Sequence, residues 1–255
     1  MRQTHQRIRN RLADIFLGAF RDGEKRQAIF ALGAYCDLSS SRGSAIIPLF
    51  DLMLALAQLH PGTGNKEESA LALVNAAGLL RVRRDEDTSG EHVADVEPSP
   101  EVSEALPVLC ERVRRYREVV ERAAAIGTSG HTDRVDRTLG EAALCFNAGL
   151  FFEAHEHLEH VWVSLPRGAL RQILQGIIQV SVGFHHAEWG RYGGAVNQLT
   201  KGLAKLGDGA DAAVAIDLTE FVRDVRAARQ RIVARGREEM QPISRAEVPR
   251  MRLRR

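Results

Sequence analysis

The residues best equipped for chemistry in this 255-residue chain lie between Phe146 and Trp162, in FNAGLFFEAHEHLEHVW. There His155, His157 and His160 are interleaved with Glu153, Glu156 and Glu159 on an otherwise apolar segment. Imidazole and carboxylate together suit a borderline divalent metal such as zinc, manganese or iron, and they are also groups that move protons near neutral pH. Helical spacing sorts the six. Phe151, His155, Leu158 and Trp162 recur at i, i+4, i+7 and i+11 and share a stripe. Phe152, Glu156 and Glu159 flank it, while Glu153, His157 and His160 fall further round and read as solvated charges. His155 and Glu159 are one turn apart and can reach a common partner. In a metal-assisted hydrolysis, Glu156 or Glu159 would be the general base. Neither the H-E-x-x-H nor the E-x-x-H pattern occurs, and no nucleophile, oxyanion pair or phosphate loop accompanies the cluster. No reaction class is specified.

A second helix, over Gly168 to Trp189, supplies the facing wall. Ile173, Gly176, Ile177, Val180 and Phe184 form its core face, and Gly176 and Gly183 let a neighbouring helix approach closely. Beside them runs a polar stripe of Gln172, Gln175, Gln179 and His186. Amides at regular spacing on an apolar helix mark a wet cleft, a buried network or a water boundary. If this stripe faces His155 and Glu159, the two line one pocket, with Asn147, Phe151, Trp162, Gln175 and Gln179 around the candidate ligands His155, Glu156, Glu159 and His186.

An internal echo constrains the geometry. Gly149-x-Phe151-x-x-Ala154 returns as Gly190-x-Tyr192-x-x-Ala195, and Leu158 corresponds to Leu199. Each copy places a glycine in a turn, an aromatic wedge, and an alanine where helices touch, as in tetratricopeptide-like hairpins. Two copies predict a compact bundle rather than a solenoid. The second copy has Val196 and Asn197 where the first has His155 and Glu156, so the hairpin itself does not require the cluster.

The remaining chain sets the frame. Hydrophobic residues make up 44% and charged residues 27%, an ordinary globular balance, and aromatics are only 5%. Helices are expected over 7–20, Lys25 to Cys36, Ile46 to Leu59 (mostly apolar, hence buried) and Glu67 to Ala77, the last after a break at His60 to Asn65. Leu79 to Arg84 and His92 to Val96 alternate around the polar turn Asp85 to Gly90, which reads as a β-hairpin. Helices followed by a hairpin are the order of a winged-helix element. Glu67 and Glu68 on the preceding helix disfavour DNA contact, because groove reading needs cations there. A small helical cap with a hairpin is the simpler expectation.

Pro98, Ser99 and Pro100 mark a linker. A long helix follows over Val102 to Ile126, its arginines interspersed with Glu111, Glu118 and Glu121 as a salt-bridged face. After a break at Gly127 to Gly130, Thr132 or Asp133 caps a helix that ends at Phe146. A final helix runs from Leu218, capped by Asp217, to about Arg235. The expected organisation is a helical region with a hairpin over 1–97, a linker and long helix over 98–130, a helical bundle over 131–235, and a basic disordered tail over 236–255. The fold class is mainly α.

Cys36, Cys110 and Cys145 show no C-x-x-C pairing and read as buried reduced thiols, so the cytoplasm is the default expectation. No apolar run is long enough for a membrane span, which argues against a membrane partner. The first residues are Arg-rich and free of acids up to Asp14, a composition that organelle transit segments share. A net charge of +2 does not call for nucleic acid.

The stretch from about Thr132 to Arg235 resembles the family catalogued as domain of unknown function 309. The residues that carry the resemblance are Phe146, Asn147, Gly149, Phe151, Phe152, Glu153, Ala154, His155, Glu156, Leu158, Glu159 and Trp162. Leu174 to Gln179, a histidine at 185 or 186, and the Gly190, Gly194, Ala195 turn fit as well. The resemblance implies an all-helical bundle, places His155, Glu156, Glu159 and Trp162 in the family pattern, and brings no established activity. Three readings therefore stand. In the first, the bundle holds a divalent metal or small polar ligand. In the second, it is the partner-binding part of a regulator or scaffold. In the third, His155, Glu156 and Glu159 are a structural hydrogen-bond network.

Overall fold

A computed structural model of the chain describes residues 2–59, 74, 78–86, 92–127, 134–208 and 214–254. The chain divides into two compact units, Met1–Glu121 and Arg122–Arg255. The division falls inside the long helix rather than at Pro98.

In the first unit, α1 (Arg2–Ala19) and α2 (Gly23–Arg42) are joined by a turn in which Asp22 accepts from the backbone N–H of Glu24 at 2.9 Å and of Lys25 at 3.3 Å. This carboxylate satisfies N–H groups that a helix start leaves open. α2 continues past Asp37 to Gly43, whose left-handed φ of 63° closes it. Then come β1 (Ile47–Pro48), α3 (Leu49–Leu59), β2 (Leu80–Glu86), β3 (His92–Pro98), α4 (Pro100–Ser103) and α5 (Leu106–Gly127). The expected hairpin is present, and a third strand enlarges it to an antiparallel sheet of order β1-β3-β2, with Ile47 opposite Val96.

The helix expected to start at Ile46 is thus a strand followed by a helix, because Pro48 lacks the N–H that a helix interior needs. Nor is that segment wholly buried. Ile47, Leu49, Leu52 and Leu56 face the core, whereas Ile46, Phe50 and Leu54 are exposed. The stretch around Pro98 is no free linker: Ser99 N–H donates to the Leu79 carbonyl at 2.9 Å and Val102 is buried. Apart from Val74, which is helical and buried, the expected helix over Glu67 to Ala77 lies outside the described residues, as do the break before it, most of the hairpin turn, and the cap at Thr132 or Asp133.

α5 packs on α1 and α2. Tyr116 stacks on Phe16 with ring centroids 4.1 Å apart, and Arg117 reaches Asp37 at 2.7 Å. Cys36 on α2 and Cys110 on α5, with Cα atoms 5.3 Å apart, form a disulfide; only Cys145 is a free, buried thiol. This corrects the expectation of three reduced cysteines. Two cysteines 74 positions apart carry no local pairing signal, and only the packing of α5 against α2 brings them together. The reducing compartment inferred from unpaired cysteines loses its basis with them.

The second unit is a bundle of α6 (Arg134–Asn147), α7 (Phe151–Trp162), α8 (Ala169–Glu188), α9 (Tyr192–Leu206) and α10 (Leu218–Arg235). α6–α7 and α8–α9 are the two hairpins of the internal echo, and their turns are built alike. Gly149 and Gly190 are left-handed, with φ of 72° and 64°. Gly149 N–H donates to Phe146 and Leu150 N–H to Cys145; Gly190 N–H donates to Ala187 and Arg191 N–H to His186. Both are the paired closing bonds of a glycine-terminated helix. Phe146 lies at the centre, its ring edge-on to those of Phe151, Phe184 and Phe221.

α8 and α9 approach closely at glycines. A Cβ on Gly202 would lie 2.8 Å from the Gly176 carbonyl oxygen and 3.0 Å from the Val180 nitrogen, backbone atoms that cannot yield alone. Gly202→Val is therefore expected to destabilise the bundle by about 1–3 kcal/mol through overpacking, outweighing valine's gain in helix propensity over glycine. Urea unfolding followed by helical circular dichroism checks this; an unchanged midpoint would contradict the close approach.

The stretch after Arg235, expected to be a disordered tail, lies along this bundle. Ile243 N–H donates to the Ala187 carbonyl, Asn147 exchanges two hydrogen bonds with the Met251 backbone, and Leu253 bridges Ile216. Met240 and Met251 are buried, and this apolar anchoring outweighs the solubilising arginines between them. Among the described residues no helix is long and apolar enough to cross a membrane.

Candidate functional site

α7 lies between α6 and α8, so two of its sides are covered. On the side toward α6, Glu153 is 0% and His157 1% exposed, and the His157 Nε2 lies 2.6 Å from the Glu141 Oε2. Cys145, one turn beyond Glu141 on α6, belongs to the same surroundings. Its thiol is pushed well above the ordinary range by burial first and by the charges of Glu153 and Glu141 second. The expectation that Glu153 and His157 are outer, solvated charges is thus wrong for both, and His160 alone of that stripe is exposed. Periodicity marks one apolar face; it does not show that a second face is covered by another helix. Glu141 went unnoticed in the sequence. The available signal was a lone acid in the run Leu139 to Phe146, which is otherwise small or apolar.

On the opposite side the arrangement is half-open. His155 Nε2 lies 3.2 Å from Glu156 Oε1, and one ligand atom from each of His155, Glu156 and Glu159 falls within 4.8 Å of the other two. The His155 side chain is 13% exposed and that of Glu156 39%, with Glu159 outermost. Phe152 packs against the imidazole: its ring is edge-on to His155 at 5.0 Å and lies 5.9 Å from that of His185 on α8. Phe152 therefore ties the start of α7 to the end of α8, while Trp162 Nε1 donates to the Arg171 carbonyl at the other end. These two ties set α7 antiparallel to α8. His155 Nδ1 and Gln179 Oε1 are both buried and have no hydrogen-bond partner among the described residues.

The other expected site residues divide. His186 is turned toward α9: a Cβ on Gly194 would lie 2.6 Å from its ring. Burial first, then the neighbouring His185 and Arg191, lower its pKa below the usual 6.5. Its Nδ1 is buried without a partner, but it does not join the group formed by His155, Glu156 and Glu159. His185 is the histidine that faces Phe152. Phe151 is a core residue, and Asn147 is held by the Met251 backbone. Trp162 stacks under the Arg171 guanidinium, 4.2 Å from the ring centroid. Gln175 lines a separate depression near the start of α8, and Gln172 beside it donates weakly to the Lys205 carbonyl at 3.4 Å. The glutamine stripe therefore does not run along one cleft.

Comparison with known proteins agrees with the resemblance read from the sequence. Residues 139–198, which span α7, α8 and the turns at Gly149 and Gly190, match the family described as a domain of unknown function (DUF309). No curated protein and no solved structure matches the chain significantly.

Proposed function

We propose that the second unit is a helical module that binds a divalent metal ion, with His155, Glu156 and Glu159 as its protein ligands. The supporting observation is the convergence of one imidazole and two carboxylates within 4.8 Å on a half-open face of α7. The buried His155 Nδ1, which has no hydrogen-bond partner among the described residues, adds to it, since a metal ion or its bound water would satisfy such a nitrogen. One nitrogen and two oxygen donors suit zinc, manganese or iron(II). Three protein donors also leave coordination positions for water or a substrate, as in metal centres that activate water rather than merely staple a fold. In such a centre the outermost carboxylate, Glu159, is the ligand best placed to exchange and take a proton.

The regulatory alternative gives the first unit a winged-helix-like role. The helices-then-hairpin order and the added strand β1 support it. Against nucleic acid stands the pairing of the hairpin's arginines: Arg81 with Glu97 at 2.6 Å, and Arg83 with Asp95 and Glu97 at 3.6 and 3.9 Å.

The experiment is elemental analysis of the purified untagged protein beside a His155→Ala/Glu159→Ala variant. The expected result is near-stoichiometric zinc, manganese or iron in the wild type and its loss from a variant with an unchanged helical spectrum. Absence of metal from both, before and after incubation with each ion, would overturn the proposal.

A further inference from the structure

A second candidate site lies away from the His/Glu group, at the start of α8. Arg167, Gly168, Arg171, Gln172, Gln175 and Lys205 line an open depression of about 320 Å³. Three of the six carry a positive charge and none is acidic. Elsewhere in this unit Arg223 pairs with Glu220 and Asp224, Arg235 with Glu247, and Arg252 with Glu220, whereas Arg226, Arg229 and Arg231 bond carbonyl or hydroxyl oxygens one at a time and none of them lines this depression. Among the described residues no carboxylate pairs with Arg167, Arg171 or Lys205. Three cations facing one concavity repel one another, and the described residues supply no counter-charge.

Arg171 is anchored in the fold. Its Nη1 donates to the Trp162 carbonyl at 2.7 Å and the Leu165 carbonyl at 2.6 Å, and its plane lies over the Trp162 ring. These contacts use one nitrogen and fix the plane, and among the described residues no hydrogen-bond acceptor meets the rest of the guanidinium fork. A rigid fork loses little freedom on binding a tetrahedral oxyanion bidentately, which is why arginine is favoured for phosphate. The floor is complementary as well. α8 follows its N-cap Gly168, which lines the depression, with no side-chain cap and no acid in its first turn, so the positive dipole end of the helix adds to the field of the three cations. Gln172 and Gln175 add amide groups able to bond a hydroxyl or ester oxygen. The depression is larger than one phosphate, which leaves room for the group that carries it.

We infer that this depression binds the phosphate group of a small phosphorylated molecule, with Arg167, Arg171 and Lys205 as the charged contacts. The inference does not depend on the metal proposal.

The test is titration of the full-length protein with inorganic phosphate at constant ionic strength, followed by calorimetry and by amide chemical shifts. It is run in parallel on Arg167→Ala/Lys205→Ala, whose substituted side chains hold no ion pair in the fold. The His155→Ala/Glu159→Ala protein is titrated too, so that phosphate captured by a metal ion is not counted. Saturable binding to the wild type and to the His155/Glu159 variant, weakened at least tenfold in Arg167→Ala/Lys205→Ala, is the expected result. An equal response in all three proteins, or an equal response to chloride, would overturn it. Acetate binding as tightly as phosphate at the same residues would overturn the assignment to phosphate.

Discussion

His157→Ala is expected to destabilise the second unit by about 3–5 kcal/mol, the cost of leaving a buried charge without its partner. Glu141 and Glu153 are both buried, and His157 meets Glu141 at 2.6 Å with almost no solvent contact. Removing the imidazole leaves carboxylates in a poorly solvated interior, together with a cavity. His155→Ala, two residues earlier on a half-open face, should cost no more than about 1 kcal/mol. Unfolding in urea, followed by helical circular dichroism, separates the two. The cause can be separated from simple loss of volume by Glu141→Met/His157→Leu, which refills the space without charge. If buried charge is the reason, this double variant recovers most of the stability lost by His157→Ala. A loss below about 1 kcal/mol in His157→Ala would show that the pair does not hold α6 to α7.

Breaking the Cys36–Cys110 disulfide should have a comparable effect on the first unit. Its closed loop spans a sequence separation of 74, and loop-closure entropy for that length predicts a stabilisation of about 4 kcal/mol. Cys110→Ser, or reduction of the wild type, is thus expected to lower the melting transition of that unit while leaving the helical bundle's transition in place. A thiol count gives an independent check. The denatured, unreduced protein should expose one titratable thiol, Cys145, and three after reduction. Three thiols without reductant would show that the bond does not form.

The two predictions share an origin. Each concerns residues whose role depends on a partner distant in sequence, Glu141 for His157 and Cys110 for Cys36. Neither partnership leaves a local trace. The metal proposal is the opposite case, for His155, Glu156 and Glu159 lie within five residues on one helix.

What the sequence determined by itself is what local physics encodes. Helix positions in the bundle follow from apolar spacing and from Gly149, Gly168 and Gly190. The repeated turn is readable because only glycine takes the left-handed conformation without strain, so both copies needed it. The close packing of α8 was legible in Gly176 and Gly183 because a missing side chain is itself a spatial statement. The hairpin was legible because strand alternation has a period of two. The convergence of His155, Glu156 and Glu159 followed from one turn of helix. Tertiary structure decided the rest. It covered a second side of α7 and so took Glu153 and His157 out of water. It turned His186 toward α9, and it joined two cysteines that sequence reading left apart. It laid residues 236–254 along the bundle and buried Met240 and Met251 there, which no window of sequence shows. It also gathered Arg167, Arg171 and Lys205, the last from another helix, around one depression. Helical and strand periodicity act over one or two turns, whereas burial and charge pairing are set by whichever element folds back against the one being read.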